Sequence, residues 1–166
     1  DLPTAPQVVG GSATVTQSGL NQIINQATDR AIINWGSFSI GRLNAVEVRQ
    51  LGPQSVLLNR VIGNDPTSIF GSLTANGRVF LVNPNGVYFA PGASIDTGGL
   101  VATTMSIRDS DFMSGIYSFE RSGYGEVENA GIITIRNGGY ALLAADKVTN
   151  AVTGTIDAAG GQVMLA

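Results

Sequence analysis

The side chains best able to do chemistry in this sequence are its carboxylates, because the chain contains neither His nor Cys. Asp109 and Asp111 could chelate Ca²⁺ or form a carboxylate pair, but we interpret them as a solvated loop tip. Calcium-binding glycine repeats and the Walker and dinucleotide-binding fingerprints are absent. We therefore predict no catalytic, cofactor-binding or metal-binding residue. Other acids are scattered and recur at no common interval: Asp29, Glu47, Asp65, Asp96, Asp146 and Asp157.

A tight turn is the clearest local feature, and it comprises Asn83, Pro84, Asn85 and Gly86. Pro84 fixes its own φ at about −65°, Asn85 tolerates the next turn position, and Gly86 supplies a positive φ. Such a turn either only reverses the chain or also presents its Asn side chains to a partner. The sequence leaves both interpretations open, and the two are compatible.

The composition indicates an all-β protein rather than a helical or disordered one. Only 13% of the residues are charged, 43% are hydrophobic, and 22 are Gly. The net charge is −3 and no two Lys or Arg are adjacent, which argues against binding to nucleic acid. We also expect no small-molecule substrate, and we expect a monomer.

The second half of the chain contains a repeat of an aliphatic residue, a short polar stretch, one or two Gly and an apolar strand. Four copies occupy residues 71–81, 92–102, 131–141 and 154–165. Their aliphatic anchors are Leu73, Ile95, Ile135 and Ile156, at intervals of 22, 40 and 21 residues. Since 40 is close to the sum of the other two intervals, a repeat of about 20 to 22 residues is predicted throughout.

Repeats of this length predict a parallel β-helix whose coils turn at Gly and stack on one another. The copies lack the several Leu and the ladder Asn of a leucine-rich horseshoe, and the crossover rule favours a right-handed helix. An antiparallel sandwich with Gly-rich turns is the alternative fold. The period of two along strands places these side chains inside the helix: Val79, Leu81, Val101, Ile135, Ile156 and Val163.

The repeat is interrupted within residues 104–129, where charged and aromatic residues concentrate. We interpret this stretch as one coil that carries a protruding loop or hairpin. The chain ends at Ala166 inside a strand-like run, so its last coil would leave an open edge. This favours an amino-terminal fragment of a larger protein.

Two stretches of the chain resemble one known family. Residues 31–41, which include Trp35 and Phe38, are similar to an early segment of the haemagglutination-activity domain, also called the two-partner secretion (TPS) domain. The second stretch resembles the most diagnostic region of that domain, and the resemblance extends over essentially the whole chain. Its elements are Asn59, Arg60 and Val61, and then the strand that leads into Asn83, Pro84, Asn85 and Gly86.

The resemblance implies an all-β fold: a right-handed parallel β-helix with an antiparallel amino-terminal cap. Residues 1–166 would form a single domain, with the cap and first coils in 1–50 and further coils in 51–166. Trp35 and Phe38 are then expected in the core under the cap rather than on a ligand platform. The Asn-Arg-Val sequence at residues 59–61 is typical of the adhesin-type branch.

The resemblance also implies a function in secretion. Such domains begin large exoproteins of Gram-negative bacteria, among them haemagglutinins, adhesins and virulence factors. A cognate outer-membrane transporter, a barrel with polypeptide-transport-associated domains, recognises them in the periplasm. They then fold at the cell surface and start the β-helix behind them. The expected recognition residues are those of the two motifs: Asn59, Arg60, Val61, Asn83, Pro84, Asn85 and Gly86.

Two other functions remain open. The chain could be a β-helical adhesin module that binds host glycans directly. It could also be a polysaccharide lyase or hydrolase, because pectin-cleaving enzymes use the same fold. Those enzymes need clustered acids or an Arg base, and this sequence offers neither a cluster nor a His. We therefore predict that the chain is not an enzyme.

Overall fold

The computed structural model describes residues 1–166 and contains eighteen strands and one short helix. None of its helices has the length and apolar character needed to cross a membrane. The elements in chain order are β1 (Gln7–Gly10), β2 (Ala13–Ser18), β3 (Asn21–Gln26), β4 (Arg30–Trp35), β5 (Ala45–Arg49), β6 (Val56–Val61), β7 (Thr67–Ile69), β8 (Ser72–Ala75), β9 (Arg78–Val82), β10 (Val87–Phe89), β11 (Ser94–Thr97), β12 (Gly99–Thr103), α1 (Asp109–Met113), β13 (Glu126–Asn129), β14 (Ile132–Ile135), β15 (Tyr140–Ala144), β16 (Lys147–Asn150), β17 (Thr155–Ala158) and β18 (Gln162–Leu165).

The strands form three sheets that wind into a parallel β-helix of about six coils, as predicted. Sheet A has the order β1-β4-β6-β9-β12-β15-β18, sheet B the order β16-β13-β10-β7, and sheet C the order β17-β14-β11-β8-β5-β3-β2. From β4 onward, each strand of sheet A is paired in parallel with the strand one coil away. The backbone of each inner coil is therefore hydrogen-bonded to the coils above and below it.

The lower end of the helix carries the expected antiparallel cap. Strand β1 pairs antiparallel with β4 in sheet A, and β2 pairs antiparallel with β3 in sheet C. Trp35 and Phe38 are buried in the core beside this cap, and their rings meet edge to face with centroids 5.4 Å apart. The prediction that both residues belong to the core is confirmed.

The anchor positions of the repeat are shifted at one point. Leu73 pairs with Ile95, Ile95 with Ile133, and Ile133 with Ile156. The third anchor is therefore Ile133 and not Ile135, although both side chains are buried in the interior. Because β11 and β14 are direct neighbours, the long interval is one coil with an insertion and does not contain two coils.

The interior core is a column of aliphatic side chains from all three sheets. Val79, Leu81 and Ile135 lie in it as predicted, and Ile156 packs against it while half-buried. The prediction was wrong for Val101, which is buried on the outer face of sheet A. Val163 stands in register with interior Ala141 but is 46% exposed, because no further coil covers β18.

The outer face of sheet A is covered by residues 104–125, which we call the extra-helical segment. This segment contains α1 and an antiparallel bridge between Ser106 and Glu120, so it is more ordered than the loop or hairpin expected. The segment and the sheet enclose a second, outer core comprising Ile32, Val56, Leu58, Phe80, Val82, Val101, Ile107 and Phe112. Asp109 and Asp111 lie in α1, so the prediction of a loop tip was wrong.

Leu143 and Leu165 offer a matched test of how the coils stabilise the fold. They are paired in register on adjacent coils, but Leu143 is fully buried and Leu165 is 48% exposed. We expect Leu143→Ala to lower the free energy of unfolding by about 2–5 kcal/mol and Leu165→Ala by roughly 1 kcal/mol or less, because only the first leaves a cavity. Urea denaturation of the 166-residue chain measures both; equal losses would contradict the fold.

Candidate functional site

The turn at residues 83–86 joins β9 of sheet A to β10 of sheet B. It closes with a hydrogen bond from Gly86 N to Asn83 O of 3.0 Å. Gly86 has a φ of +121°, and a Cβ there would lie 3.0 Å from the carbonyl oxygen of Glu126 on the next coil. Gly86 is therefore required both by the backbone conformation and by the close approach of a neighbouring coil.

Asn83 is buried, and its side-chain amide bonds to two coils. Its Nδ2 donates to the carbonyl oxygen of Asp65 and to Oγ1 of Thr67, each at 3.0 Å. Its Oδ1 accepts from the backbone N of Asn85 at 2.9 Å and from Asn85 Nδ2 at 3.0 Å. With both donors and both acceptor sites used internally, Asn83 shapes the turn and has no bonding capacity left for a partner.

Asn85 is the exposed member of the turn. Its Nδ2 donates to Asn83 Oδ1 and also to the carbonyl oxygen of Gly63, at 3.0 Å, on the coil below. The carbonyl oxygen of its side chain accepts no bond within the chain. Asn85, with half-buried Pro84 beside it, is thus the part of the turn that an external protein can touch.

The Asn-Arg-Val motif at residues 59–61 lies in β6, one coil below β9. Asn59 is buried, and its Oδ1 accepts a 3.0 Å bond from Trp35 Nε1. The Nδ2 of Asn59 reaches the carbonyl oxygens of Leu57 at 3.4 Å and Phe80 at 3.3 Å. Val61 belongs to the interior core. Both residues therefore stabilise the coil from inside, and neither is exposed on the folded domain.

Arg60 is the member of that motif that points outward. Its Nη1 donates to Asn34 Oδ1 at 3.1 Å, and its Nη2 donates to the carbonyl oxygen of Ile107 at 2.8 Å. The same Nη2 lies 2.6 Å from Asp109 Oδ1. Arg60 therefore ties β6 and β4 to the start of the extra-helical segment.

The fold brings the two motifs to adjacent coils, at the carboxyl ends of β6 and β9 in sheet A. Asn59 is in register with Leu81, and Arg60 with Val82, directly before the turn. The bond from Asn85 to Gly63 continues this contact beyond the strands. The seven predicted site residues thus form one region, divided into an inner supporting set and an outer accessible set.

Sequence reasoning missed Gly123 and Gly125, which form the upper boundary of the turn. Gly125 N donates to the carbonyl oxygen of Pro84 at 3.3 Å. A Cβ at Gly125 would lie 2.5 Å from the backbone carbon of Asn85, and one at Gly123 would collide with the carbonyl oxygen of Pro84. The two closely spaced glycines were a signal for close backbone packing, but nothing in the sequence indicated that they pack on this turn.

Three of the six acids expected to recur at no common interval, namely Glu47, Asp96 and Asp157, share one register position on alternate coils of sheet C, so that expectation was wrong for them. Thr74 and Thr134 stand between them.

Three of the six acids pair with arginine. Glu47 pairs with Arg49 at 3.1 Å, Asp96 with Arg136 at 3.5 Å, and Arg121 with Asp146 at 2.7 Å. The structure contains no group of three His, Cys, Asp or Glu side chains that could hold a metal ion. These exposed pairs contribute little stability individually.

The family model described as the TPS secretion domain matches residues 2–166. The chain belongs to the TPS secretion domain family. Its fold is also that of the HMW1 secretion domain from Haemophilus influenzae, with a TM-score of 0.82 and 31% sequence identity. That match covers 99% of this chain and 44% of the HMW1 chain.

Two curated relatives are each named heme/hemopexin-binding protein, and both come from Haemophilus influenzae, one of them from strain Rd. They are 39% identical over 173 residues and 40% identical over 122 residues. The alignments cover 99% and 73% of this TPS domain but only 19% and 13% of the relatives. The chain thus spans less than a fifth of their length.

Membership in the family gives the chain its general function. TPS domains belong to exoproteins that Gram-negative bacteria secrete across the outer membrane, and an outer-membrane transporter is the second partner. The resemblance inferred from the two motifs is therefore confirmed at the level of the family.

The Asn59–Trp35 bond yields a direct prediction about the inner set. Asn59→Ala should lower the free energy of unfolding by about 1–3 kcal/mol, because it leaves Trp35 Nε1 buried without an acceptor. In a Trp35→Phe background the same substitution should cost less by about 1 kcal/mol. Urea denaturation of the four proteins in this cycle gives the coupling energy. Strict additivity would show that the bond does not contribute to stability.

Proposed function

We propose that this TPS domain directs a larger exoprotein to its cognate outer-membrane transporter and starts β-helix folding at the cell surface. In this proposal residues 1–166 act as one secretion domain, with the cap and first coils in residues 1–50 and the remaining coils in 51–166. The protein reaches the surface through the periplasm, where the transporter's polypeptide-transport-associated domains bind it as a monomer.

The recognition proposal rests on the different roles of Asn83 and Asn85 in the 83–86 turn. Asn83 uses its whole amide to fix the turn, while Asn85 remains exposed with a free side-chain oxygen. A partner that donates a hydrogen bond can therefore bind Asn85 without disturbing the coil. Asn59 and Val61 support the adjacent coil from inside.

The folding proposal follows from the pairing of the coils. Strand β18 is bonded to β15 on one side only, and its apolar residues Val163 and Leu165 are 46% and 48% exposed. A further coil added above would pair with this edge and bury both side chains. Parallel pairing of this kind is slow to nucleate, since the loop entropy must be lost before contacts form. A prefolded stack of coils removes that barrier for the polypeptide that follows.

We place other activities of the exoprotein outside this domain. The relatives are named for heme and hemopexin binding rather than for haemagglutination or adhesion. Since they are more than five times longer than the matched region, such binding has ample room elsewhere. The acids of this chain give no comparable support to an enzymatic activity, because no three of them form a group that could hold a metal ion and several pair with arginine.

Two asparagines separate recognition from structure in this turn. Asn85→Ala should sharply reduce transporter-dependent secretion with a melting temperature near that of the unaltered chain, because its side chain is exposed and makes only two bonds. Asn83→Ala should reduce both secretion and stability, since it leaves buried polar groups of the turn without partners. Secretion and thermal melting are measured on the same variants.

The control for this pair is Asn137→Ala. Like Asn85, Asn137 is exposed and precedes a glycine at a coil corner. It lies between β14 and β15, away from the turn at residues 83–86. We expect normal secretion and normal melting. If Asn85→Ala is secreted normally as well, Asn85 is not a recognition residue and the turn is only structural.

The absence of clustered acids yields a second prediction. Purified protein should not cleave polygalacturonate, because pectin-degrading β-helices need several acids or an Arg base on one exposed sheet. Release of reducing ends or unsaturated products is followed over a range of pH. Cleavage that is abolished by a single Asp→Asn substitution would show that the chain is an enzyme after all.

A further inference from the structure

We propose that Asn137 is a site of spontaneous deamidation in the folded domain, and that the fold blocks the same reaction at Asn76 and Asn85. These three residues are the asparagines that precede a glycine in this chain. A glycine in that position favours the reaction, because no side chain shields its backbone nitrogen. The reaction needs no partner protein, so it takes place whether or not the domain directs secretion.

The chemistry uses only the chain itself and water. The backbone nitrogen of Gly138 attacks Cγ of Asn137, and an imide ring closes as the new N–Cγ bond replaces the bond from Cγ to Nδ2. The proton of the attacking nitrogen leaves with the amide group as ammonia. Water then opens the ring at either carbonyl, which yields aspartate or isoaspartate. The step therefore requires that the side-chain amide and the following backbone nitrogen are both free to meet.

The corner at Asn137 leaves both reacting groups free. Asn137 lies between β14 and β15, its side chain is exposed, and its amide has no hydrogen-bond partner within the chain. The backbone nitrogen of Gly138 donates only a long bond of 3.4 Å, to the carbonyl oxygen of Ala159 on the last coil. A Cβ at Gly138 would meet no atom within 4 Å, so there is room for the imide ring. Because the bond is weak and the space is open, a small local opening is enough for attack.

Asn76 is held by the coil below it. Its Oδ1 accepts a 2.7 Å bond from the backbone nitrogen of Gln50, and its Nδ2 donates to the carbonyl oxygen of Gln50 at 2.8 Å. The backbone nitrogen of Gly77 donates to Gln50 Oε1 at 2.7 Å. A Cβ at Gly77 would lie 2.8 Å from each of three oxygens of that coil. Both reacting groups are therefore fixed, and the space around them is too small for the ring.

Asn85 is exposed like Asn137, but the 83–86 turn fixes it. Its Nδ2 donates two bonds of 3.0 Å, and the backbone nitrogen of Gly86 donates to the carbonyl oxygen of Asn83. A Cβ at Gly86 would lie 3.0 Å from the carbonyl oxygen of Glu126, so the next coil occupies the space that the ring needs. Exposure alone does not distinguish the two asparagines. The difference lies in the bonds of the amide and of the nitrogen that follows it.

The isoaspartate product lengthens the main chain at a corner of the β-helix. It inserts a methylene group into the turn that Gly139 N closes with a 3.0 Å bond to the carbonyl oxygen of Arg136. This turn packs closely on the last coil, since a Cβ at Gly160 would lie 2.6 Å from Asn137 Oδ1. The isoaspartate form should therefore melt roughly 2–4 °C below the unmodified chain, as the loss of one hydrogen bond predicts for a domain of this size.

Peptide mapping of the folded 166-residue chain measures the reaction at the three sites. Trypsin places them in separate peptides, residues 61–78, 79–108 and 137–147. The chain is incubated in warm, mildly alkaline buffer with and without guanidinium chloride, and mass spectrometry follows the replacement of each amide by a carboxylate. In denaturant the three sites should react at similar rates, because each is followed by glycine. In the folded chain Asn137 should keep nearly that rate, while Asn76 and Asn85 should react at least about ten-fold more slowly, since local opening must first break their bonds.

Asn137→Gln is the matched control, because it keeps an amide at the corner but would have to close a larger ring. The unaltered chain should gain a species whose net charge is −4 instead of −3, which ion exchange separates, and Asn137→Gln should not gain it. An intact Asn137 in the folded chain would overturn the proposal, and so would equal rates at the three sites or the same charged species in Asn137→Gln. Equal melting of the isoaspartate form and the unmodified chain would contradict the weakening of the corner.

Discussion

Sheet A is apolar on both faces, and the rest of the structure depends on covering both of them. Successive residues of a strand point to opposite sides, so an uninterrupted apolar run commits the chain to two cores. In β9, Val79 enters the interior core and Phe80 the outer core. Stacking of coils closes the first core. Only the extra-helical segment closes the second, which explains why one coil is much longer than its neighbours.

The two sequence motifs lie where these requirements meet. Asn59 and Asn83 satisfy buried backbone and side-chain groups between coils, and such amides are fully bonded because unpaired polar groups in a core are costly. Arg60 and Pro84 contact the segment instead. A substitution in either motif is therefore expected to weaken the packing of the coils, the attachment of the extra-helical segment, or both. This arrangement agrees with the proposal that the domain starts β-helix folding.

The sequence was sufficient for the parts of the fold that follow from local chemistry. Pro84 and Gly86 indicated the turn, and the repeat of aliphatic anchors indicated the β-helix. It was insufficient where one local pattern fits two strand registers or two side-chain directions. Ile133 and Ile135 both face inward. The sequence therefore did not show which of the two pairs with Ile95, since a shift of two residues keeps the same face of the strand inside. Val101 fits either face of an apolar strand, and its direction depends on the segment that covers it.

Contacts distant in sequence were beyond prediction from one chain. Arg60 and Asp109 carry no local mark of their pairing, and Gly123 and Gly125 reveal their role only when they pack on Pro84 and Asn85. The structure shows that the residues of the two motifs lie in one region, and only the structure distinguishes the supporting residues from the accessible ones.

Export of the unaltered 166-residue chain, preceded by a signal peptide, would show whether this domain directs secretion. The chain would be produced in a Gram-negative host with and without its cognate transporter, and the folded protein outside the cells would be quantified. We expect extracellular, protease-resistant protein only when the transporter is present. Retention in the periplasm despite the transporter, or equal release in its absence, would contradict the assignment of this chain as a domain that directs secretion.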